Sequence, residues 1–300
     1  MSKLGIGIDF GTSNSAAAVF DGERLQLVRL EQDDDIIPSA TYIDRSLTAQ
    51  TGQQAVRQYI ADNTGRTVEL IPEVVGETSQ FVEGGGGEEV AEVDTATQKI
   101  YGAPITDSGM QGRLFRGTKR LLGDESVRRL MVFDQPFRLV ALITPLLLRI
   151  RKSIEQRVGA VNAAHLGYPV NFEGRDQFAN DLALNRLGEA FNYAGIKTQD
   201  FFPEPIAAAV SYLHSNPNAE GELLLTLDFG GGTLDFCVLR RQGQDFEVVA
   251  THGIGLGGDH LDQLLFRKLL FPHLGKGQVW RRRGFDREIE TQFPFEDFEE

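Results

Sequence analysis

Ile6-Gly-Ile-Asp-Phe-Gly-Thr-Ser-Asn14, near the N-terminus, is answered far downstream by Leu225-Thr-Leu-Asp-Phe-Gly-Gly-Gly-Thr-Leu-Asp235. Each is an apolar run of β-forming residues that ends in an aspartate and passes through a Gly/Thr turn. A second apolar run follows, at 16–20 after the first turn and at 236–239 after the second. That order predicts strand, tight turn and strand. Glycines let backbone N–H groups come close to a phosphate, and a Thr or Ser hydroxyl adds a donor. The aspartate at the strand end offers a hard oxygen to Mg²⁺ or to its waters. A lone Asp-x-Gly turn is usually only a hairpin. Two copies in the same order, each inside an apolar frame, predict two related halves facing one phosphate-bearing ligand.

The chain has 300 residues, enough for one large domain or two smaller ones. Its net charge of -13 at pH 7 argues against nucleic acid or an anionic membrane as the main partner. ATP stays open, because a nucleotide needs only local donors and a metal. The one cysteine, Cys237, excludes an internal disulfide and is expected to be a buried, inert thiol. No basic stretch followed by an apolar one opens the chain. The longest apolar stretch, 139–148, is about half a membrane span and contains Pro145. A cytoplasmic protein is expected.

Short strands are predicted over 4–30, including 26–30, and extended chain from Pro38. A helix is predicted over 53–62. Acid and glycine gather over 73–92 around Gly84-Gly-Gly-Gly87, which reads as a mobile insertion tip. Apolar residues at helical spacing over 139–158 predict an amphipathic helix kinked or begun near Pro145. A buried strand over 163–170 follows. The helix predicted over 177–193 has Phe178, Leu182, Leu187 and Phe191 facing inward. Pro205 suits the first turn of a third helix, 206–213, whose Ala207, Ala208 and Ala209 permit close packing. Pro217-Asn-Ala-Glu-Gly221 is the best linker candidate. Strands alternating with helices predict an α/β protein of two lobes divided near residue 218.

Six landmarks stand in one order: Asp9-Phe-Gly-Thr-Ser13, Gly117-Thr-Lys-Arg-Leu-Leu-Gly123, Tyr168-Pro169, Pro203-Glu-Pro-Ile-Ala-Ala-Ala209, Asp228-Phe-Gly-Gly-Gly-Thr-Leu-Asp235 and Leu256-Gly-Gly-Asp259. Together they resemble the ATPase domain of the seventy-kilodalton heat-shock chaperones, within the actin and sugar-kinase superfamily. Pro-Val-Asn-Phe172 and the long acidic insertion look like divergent YegD-type members. The resemblance implies a two-lobed, actin-like α/β ATPase fold of duplicated ribonuclease-H-like lobes. Lobe I would span 1–217, with an insertion over about 38–126, and lobe II 218–300, incomplete.

The resemblance also implies roles. Asp9 and Asp228 match the metal-side aspartates that hold the waters of Mg²⁺. Gly11, Thr12, Ser13, Gly230, Gly231, Gly232 and Thr233 match the phosphate-cradling positions, with the Thr233 hydroxyl near the γ-phosphate of ATP or its place in ADP. Lys119 matches the catalytic lysine. Alone, a lysine beside Arg120 would be a solvated surface charge. Glu204, between two prolines, matches the water-orienting glutamate, and Pro169 a proline that relays nucleotide state. Clients and co-chaperones are the implied partners if the chain is part of a longer chaperone.

Gly253-Ile-Gly-Leu-Gly-Gly258 satisfies a dinucleotide fingerprint, yet no second strand ending in an acid follows. In the chaperone reading Gly257 and Gly258 instead line the phosphate side of lobe II, and the helix start adds donors. No P-loop or protein-kinase set is present, and the five histidines show no metal spacing. After Asp259 the resemblance stops. Arg281-Arg-Arg283 reads equally as the start of a helical subdomain, as the resemblance implies, or as a solvated basic cluster; no adenine-stacking loop follows, and 288–300 is acidic without a core pattern. The expectation is an ATPase or a fragment of one. A degenerate interaction protein and, less favoured, a sugar kinase are the alternatives.

Overall fold

Ile6, Ile8 and Phe10 alternate with Gly5, Gly7 and Asp9, so one face of the first run is apolar and the run forms strand β1 (Gly5–Phe10). The computed structural model describes residues 4–66, 70–82, 94–107, 109–133, 135–170, 172, 177–216, 223–242, 245–281 and 288–290. β2 (Asn14–Phe20) folds back antiparallel on β1 with Asp9 opposite Ala16, and β3 (Leu25–Leu27) extends the meander. β4 (Ile36–Pro38) pairs with the start of β2. An inserted layer follows: β5 (Thr41–Asp44), β6 (Ala49–Thr51), helix α1 (Gln53–Asn63), the hairpin of β7 (Leu70–Val82) and β8 (Asp94–Asp107), and β9 (Gly112–Phe115), which returns to pair with β5.

A 3₁₀ turn, Thr118–Gly123, brings the chain back, and β10 (Arg129–Val132) pairs with β11 (Gln135–Arg138). Helix α2 (Leu139–Val158), β12 (Ala163–Tyr168), helix α3 (Gln177–Tyr193), β13 (Thr198–Pro203) and helix α4 (Glu204–Ser215) follow. β12 and β13 lie parallel to β1, giving the sheet order β13-β12-β1-β2-β3. The opening motif then recurs. β14 (Leu223–Phe229), β15 (Leu234–Gln242) and β16 (Asp245–Ile254) form an antiparallel meander, and helix α5 (Gly258–Leu265) follows. β17 (Val279–Arg281) and β18 (Glu288–Glu290) make a short ribbon. The result is the two-lobed α/β architecture expected from the repeated motif.

The main core lies between the first sheet and the helices α2 and α3. Ile6, Ile8, Phe10, Ala17 and Val19 meet Ile143, Leu146, Leu147, Ile150 and Ile154 of α2 and Ala183, Leu187, Ala190 and Phe191 of α3. On the opposite side α4 contacts β12 and β13 as well as β14 and β15, so it is a wall common to both sheets. Its Ala209 and Ile206 pack with Leu224, Cys237 and Leu239. Cys237 is fully buried, as a core thiol should be.

Several expectations need correction. The third strand stops at Leu27, because the chain then dips inward to bury Val28 and Leu30. Residues 73–82 are strand, paired from Leu70↔Asp107 to Val82↔Asp94, rather than a mobile tip; Gly84–Gly87 falls outside the described residues. α2 begins at Leu139 and not near Pro145, which lies inside it. An internal proline costs about 3 kcal/mol, and each buried Leu or Ile on either side returns about 1.5–3 kcal/mol, so the helix runs through. On α3 the buried stripe is Ala179, Ala183, Leu187, Ala190 and Phe191; Phe178 faces outward and Leu182 is half-buried. On α4 only Ala209 of the three alanines is buried. The linker candidate 217–221 lies outside the described residues.

Replacing Ile150, fully buried on α2, by Ala should destabilise by about 2–5 kcal/mol. Phe178→Ala, at a position 64% exposed, should stay within about 0.5 kcal/mol. Urea denaturation of both variants checks the inward face directly, and equal effects would overturn it.

Candidate functional site

The two Gly/Thr turns end hairpins of the same build and meet across the gap between the sheets. A Cβ placed on Gly231 would lie 2.4 Å from Ser13 Oγ and 3.4 Å from Thr12, so a side chain there would force the Ser13 hydroxyl to move. Gly257 backs the second turn as tightly, since a Cβ there would lie 2.1 Å from the Gly231 carbonyl oxygen. Between the turns opens a cavity of about 270 Å³. Its walls are Asp9 and Gly11–Asn14 from the first turn, and Asp228–Gly231 with Thr233 from the second. Lys119, Arg120, Pro169, Phe172 and Glu204 complete it.

Lys119 rides on the 3₁₀ turn and is only 5% exposed, so it is not the solvated charge its neighbourhood in sequence would suggest. Its Nζ donates to Glu204 Oε1 at 2.6 Å. Glu204 is the first residue of α4, where the helix dipole favours a carboxylate. Burial favours loss of the Lys119 proton, but the charges of Glu204 and Asp9 and the bond to Glu204 together outweigh it, and the net shift is upward. The ammonium is thereby held charged.

Asp9, Asp228 and Asp235 are shifted upward as well, which for a carboxylate favours the neutral form. Burial raises Asp9 to about 6; Lys119 opposes that shift while Glu204 and Asp228 add to it. Burial raises Asp228 too, helped by Glu204 and opposed by Lys119. Asp235 stands opposite Asp228 in the β14–β15 register. Burial raises it to about 6, the Thr233 bond lowering it and Glu204 and Asp228 raising it. Thr233 Oγ1 donates to Asp235 Oδ2 at 2.9 Å, while Asp235 Oδ1 is buried without a partner among the described residues. Glu204, Asp9 and Asp228 thus act together on one ammonium.

Of the residues singled out in the sequence, Asp9, Gly11, Thr12, Ser13, Lys119, Glu204, Asp228, Gly230, Gly231 and Thr233 converge on this cavity. Gly232, Gly257 and Gly258 do not line it. The amides at the start of α5 are turned inward: Gly258 N–H donates to Gly230 O at 3.0 Å and Asp259 N–H to Gly231 O at 2.9 Å. These two amides brace the second turn. Asn14, Arg120, Phe172 and Asp235 were not anticipated. Asp235 was within reach, because an antiparallel hairpin closing on the Gly/Thr turn sets it across from Asp228. Arg120 approaches Asp259 at 3.9 Å and so links the 3₁₀ turn to α5.

A model of the family described as Hsp70 protein matches residues 5–99 and 128–276. Heat shock 70 kDa protein BIP3 of Oryza sativa subsp. japonica is 28% identical over 260 residues, covering 86% of this chain and 34% of its own. A Chaperone protein HscA homolog of Histophilus somni (strain 2336) is 28% identical over 265 residues, covering 88% of this chain and 37% of its own. The chain thus spans about a third of the length of the curated relatives it matches. No helix among the described residues is long and apolar enough to cross a membrane. With both Gly/Thr turns and α4 inside the matched segments, and the 3₁₀ turn in the stretch between them, the chain belongs to the Hsp70 family and carries a chaperone-type nucleotide-binding domain.

Proposed function

We propose that this chain binds Mg-ATP between its two Gly/Thr turns and hydrolyses it to ADP and phosphate. The observation that carries this reading is the convergence of Asp9, Asp228, Lys119 and Glu204 on one cavity between the turns. Residues 1–217 would form lobe I and 218–300 lobe II, with α4 as their common wall. In the whole protein, nucleotide turnover would serve clients and co-chaperones in a cytoplasmic setting, without nucleic acid or membrane as partner.

Asp9 and Asp228 would hold the waters of Mg²⁺. No group of three or more His, Cys, Asp or Glu among the described residues is placed to hold a metal, which fits an ion held through its waters and the phosphates. When bound, the ion offsets charge on the phosphate oxygens. Gly11, Thr12 and Ser13 on one side and Gly230, Gly231 and Thr233 on the other would cradle the phosphates, with Gly232 shaping the second turn. Gly257 and Gly258 would act by backing the second turn. Protonated Lys119 would stabilise charge developing in the transition state, and Glu204 would orient the attacking water and accept its proton. Protonation of Asp235 would reverse its bond to Thr233 and free the hydroxyl to donate to a phosphate.

Calorimetric titration with ATP and ADP in Mg²⁺ tests binding. Asp228→Ala should weaken Mg-ATP by roughly 10- to 100-fold, the loss of one charge-assisted contact network; unchanged affinity and turnover would sink the two-turn reading. Lys119→Ala should keep affinity while cutting hydrolysis by about 10² to 10⁴. Binding without hydrolysis in the unsubstituted protein would favour a degenerate interaction protein, and ATP loss that requires added carbohydrate would favour a sugar kinase.

The raised carboxylates make a separate prediction. With Asp235 at about 6 when folded, against about 3.9 unfolded, the folded state binds more protons between about pH 4 and 6, so stability falls as pH rises through that window. Asp235→Asn should flatten the fall in melting temperature of the ligand-free protein across it. Parallel profiles for the two proteins would count against a strained, buried Asp235.

A further inference from the structure

Lys119 depends on a support that is short and weak by itself. The last carbonyls of any helix lack partners within it, and a 3₁₀ turn six residues long has little internal hydrogen bonding to hold its shape. Here one side chain from another element gathers those carbonyls. Arg186, on α3, donates Nη1 to the carbonyl oxygens of Leu121 at 3.3 Å, Leu122 at 3.0 Å and Asp124 at 2.8 Å. Its Nη2 donates to Val127 O at 3.0 Å. Around this fork Asp124 Oδ1 accepts from the Ser126 amide at 2.9 Å and the Ser126 hydroxyl at 2.6 Å, closing the loop that follows the turn.

We infer that Arg186 is a positioning residue for Lys119, holding the turn so that the ammonium meets Glu204. The turn is then fixed at two ends, by the guanidinium behind it and by the Lys119–Glu204 contact in front. A planar guanidinium suits this task because its donors fan out over carbonyls spread from residue 121 to 127. A lysine offers its donors from one point and would reach only part of that set. Burial acts on Arg186 unfavourably, as do the like charges of Arg138 and Arg128, while Asp124 and Glu125 act in its favour. The consequence for turnover rests on the ATPase reading; the consequence for the place of Lys119 does not.

Two measurements on Arg186→Met separate these. Amine labelling followed by mass spectrometry should find Lys119 modified roughly tenfold faster or more as the turn opens locally, with exposed Lys152 and Lys197 unchanged. Steady-state hydrolysis should lose kcat by roughly tenfold with KM for ATP within about threefold. In a Lys119→Ala background, Arg186→Met should add less than about twofold, since the two residues act as one unit. Lys119 labelled at its original rate, or a full additional loss in the double variant, would overturn the inference. If Arg186→Met does not fold, Arg186→Lys, which keeps the charge, should give the same pattern at smaller amplitude. If the unsubstituted protein releases no phosphate, the ATPase reading fails and the labelling comparison alone decides for or against Arg186.

Discussion

The buried contact between Lys119 and Glu204 is the interaction on which the rest of this arrangement turns. An ammonium removed from water needs close anionic partners, or burial drives its proton off. Here the partner is the first residue of α4, and α4 packs against both sheets. One ion pair therefore ties the 3₁₀ turn to the wall common to the two halves. It also fixes where the other carboxylates stand, because Asp9 and Asp228 reach the same point from the ends of β1 and β14.

The closeness of the two turns is the second constraint. It is a constraint of volume before it is one of charge: any side chain at 257 would strike the backbone of the second turn, and one at 231 would displace the Ser13 hydroxyl. The start of α5 completes the stack by spending two amides on the carbonyls of Gly230 and Gly231. A motif that looks in sequence like a ligand-facing fingerprint is here a brace. The reason lies in the close approach itself: once Gly257 lies against Gly231, those amides find backbone oxygen nearer than any solvent-borne anion.

Much of this was legible in the sequence. The alternation in β1 and its repeat in β14, the helical spacing of α2 and the isolation of Glu204 between prolines are local patterns with local causes. What was not legible depends on long-range packing. Phe178 fits a helical stripe as well as Ala179 does, and only the presence of the first sheet and α2 decides which face turns inward. Residues 73–82 read as loop from their acid and glycine, whereas pairing with a partner strand more than a dozen residues away makes them β. Arg186 gave no signal at all. Its role exists only because α3 passes beneath a turn more than sixty residues earlier in the chain.

The charge pattern explains why the carboxylates are displaced from their usual range. Asp9, Glu204 and Asp228 line the polar cavity between the turns and also a second, mainly apolar cavity of about 440 Å³ behind them, bounded by Leu27, Phe202, Ala207 and Ala208. Burial is the largest contribution to the raised values of Asp9 and Asp228. A single ammonium offsets only part of the repulsion among the carboxylates, so the strand ends are left with an excess of negative charge. With Asp9 and Asp228 holding the waters of a metal ion as proposed, that ion and a phosphate cradled by the turns would lie in contact, so each would lower the electrostatic cost of the other and their binding is expected to be coupled.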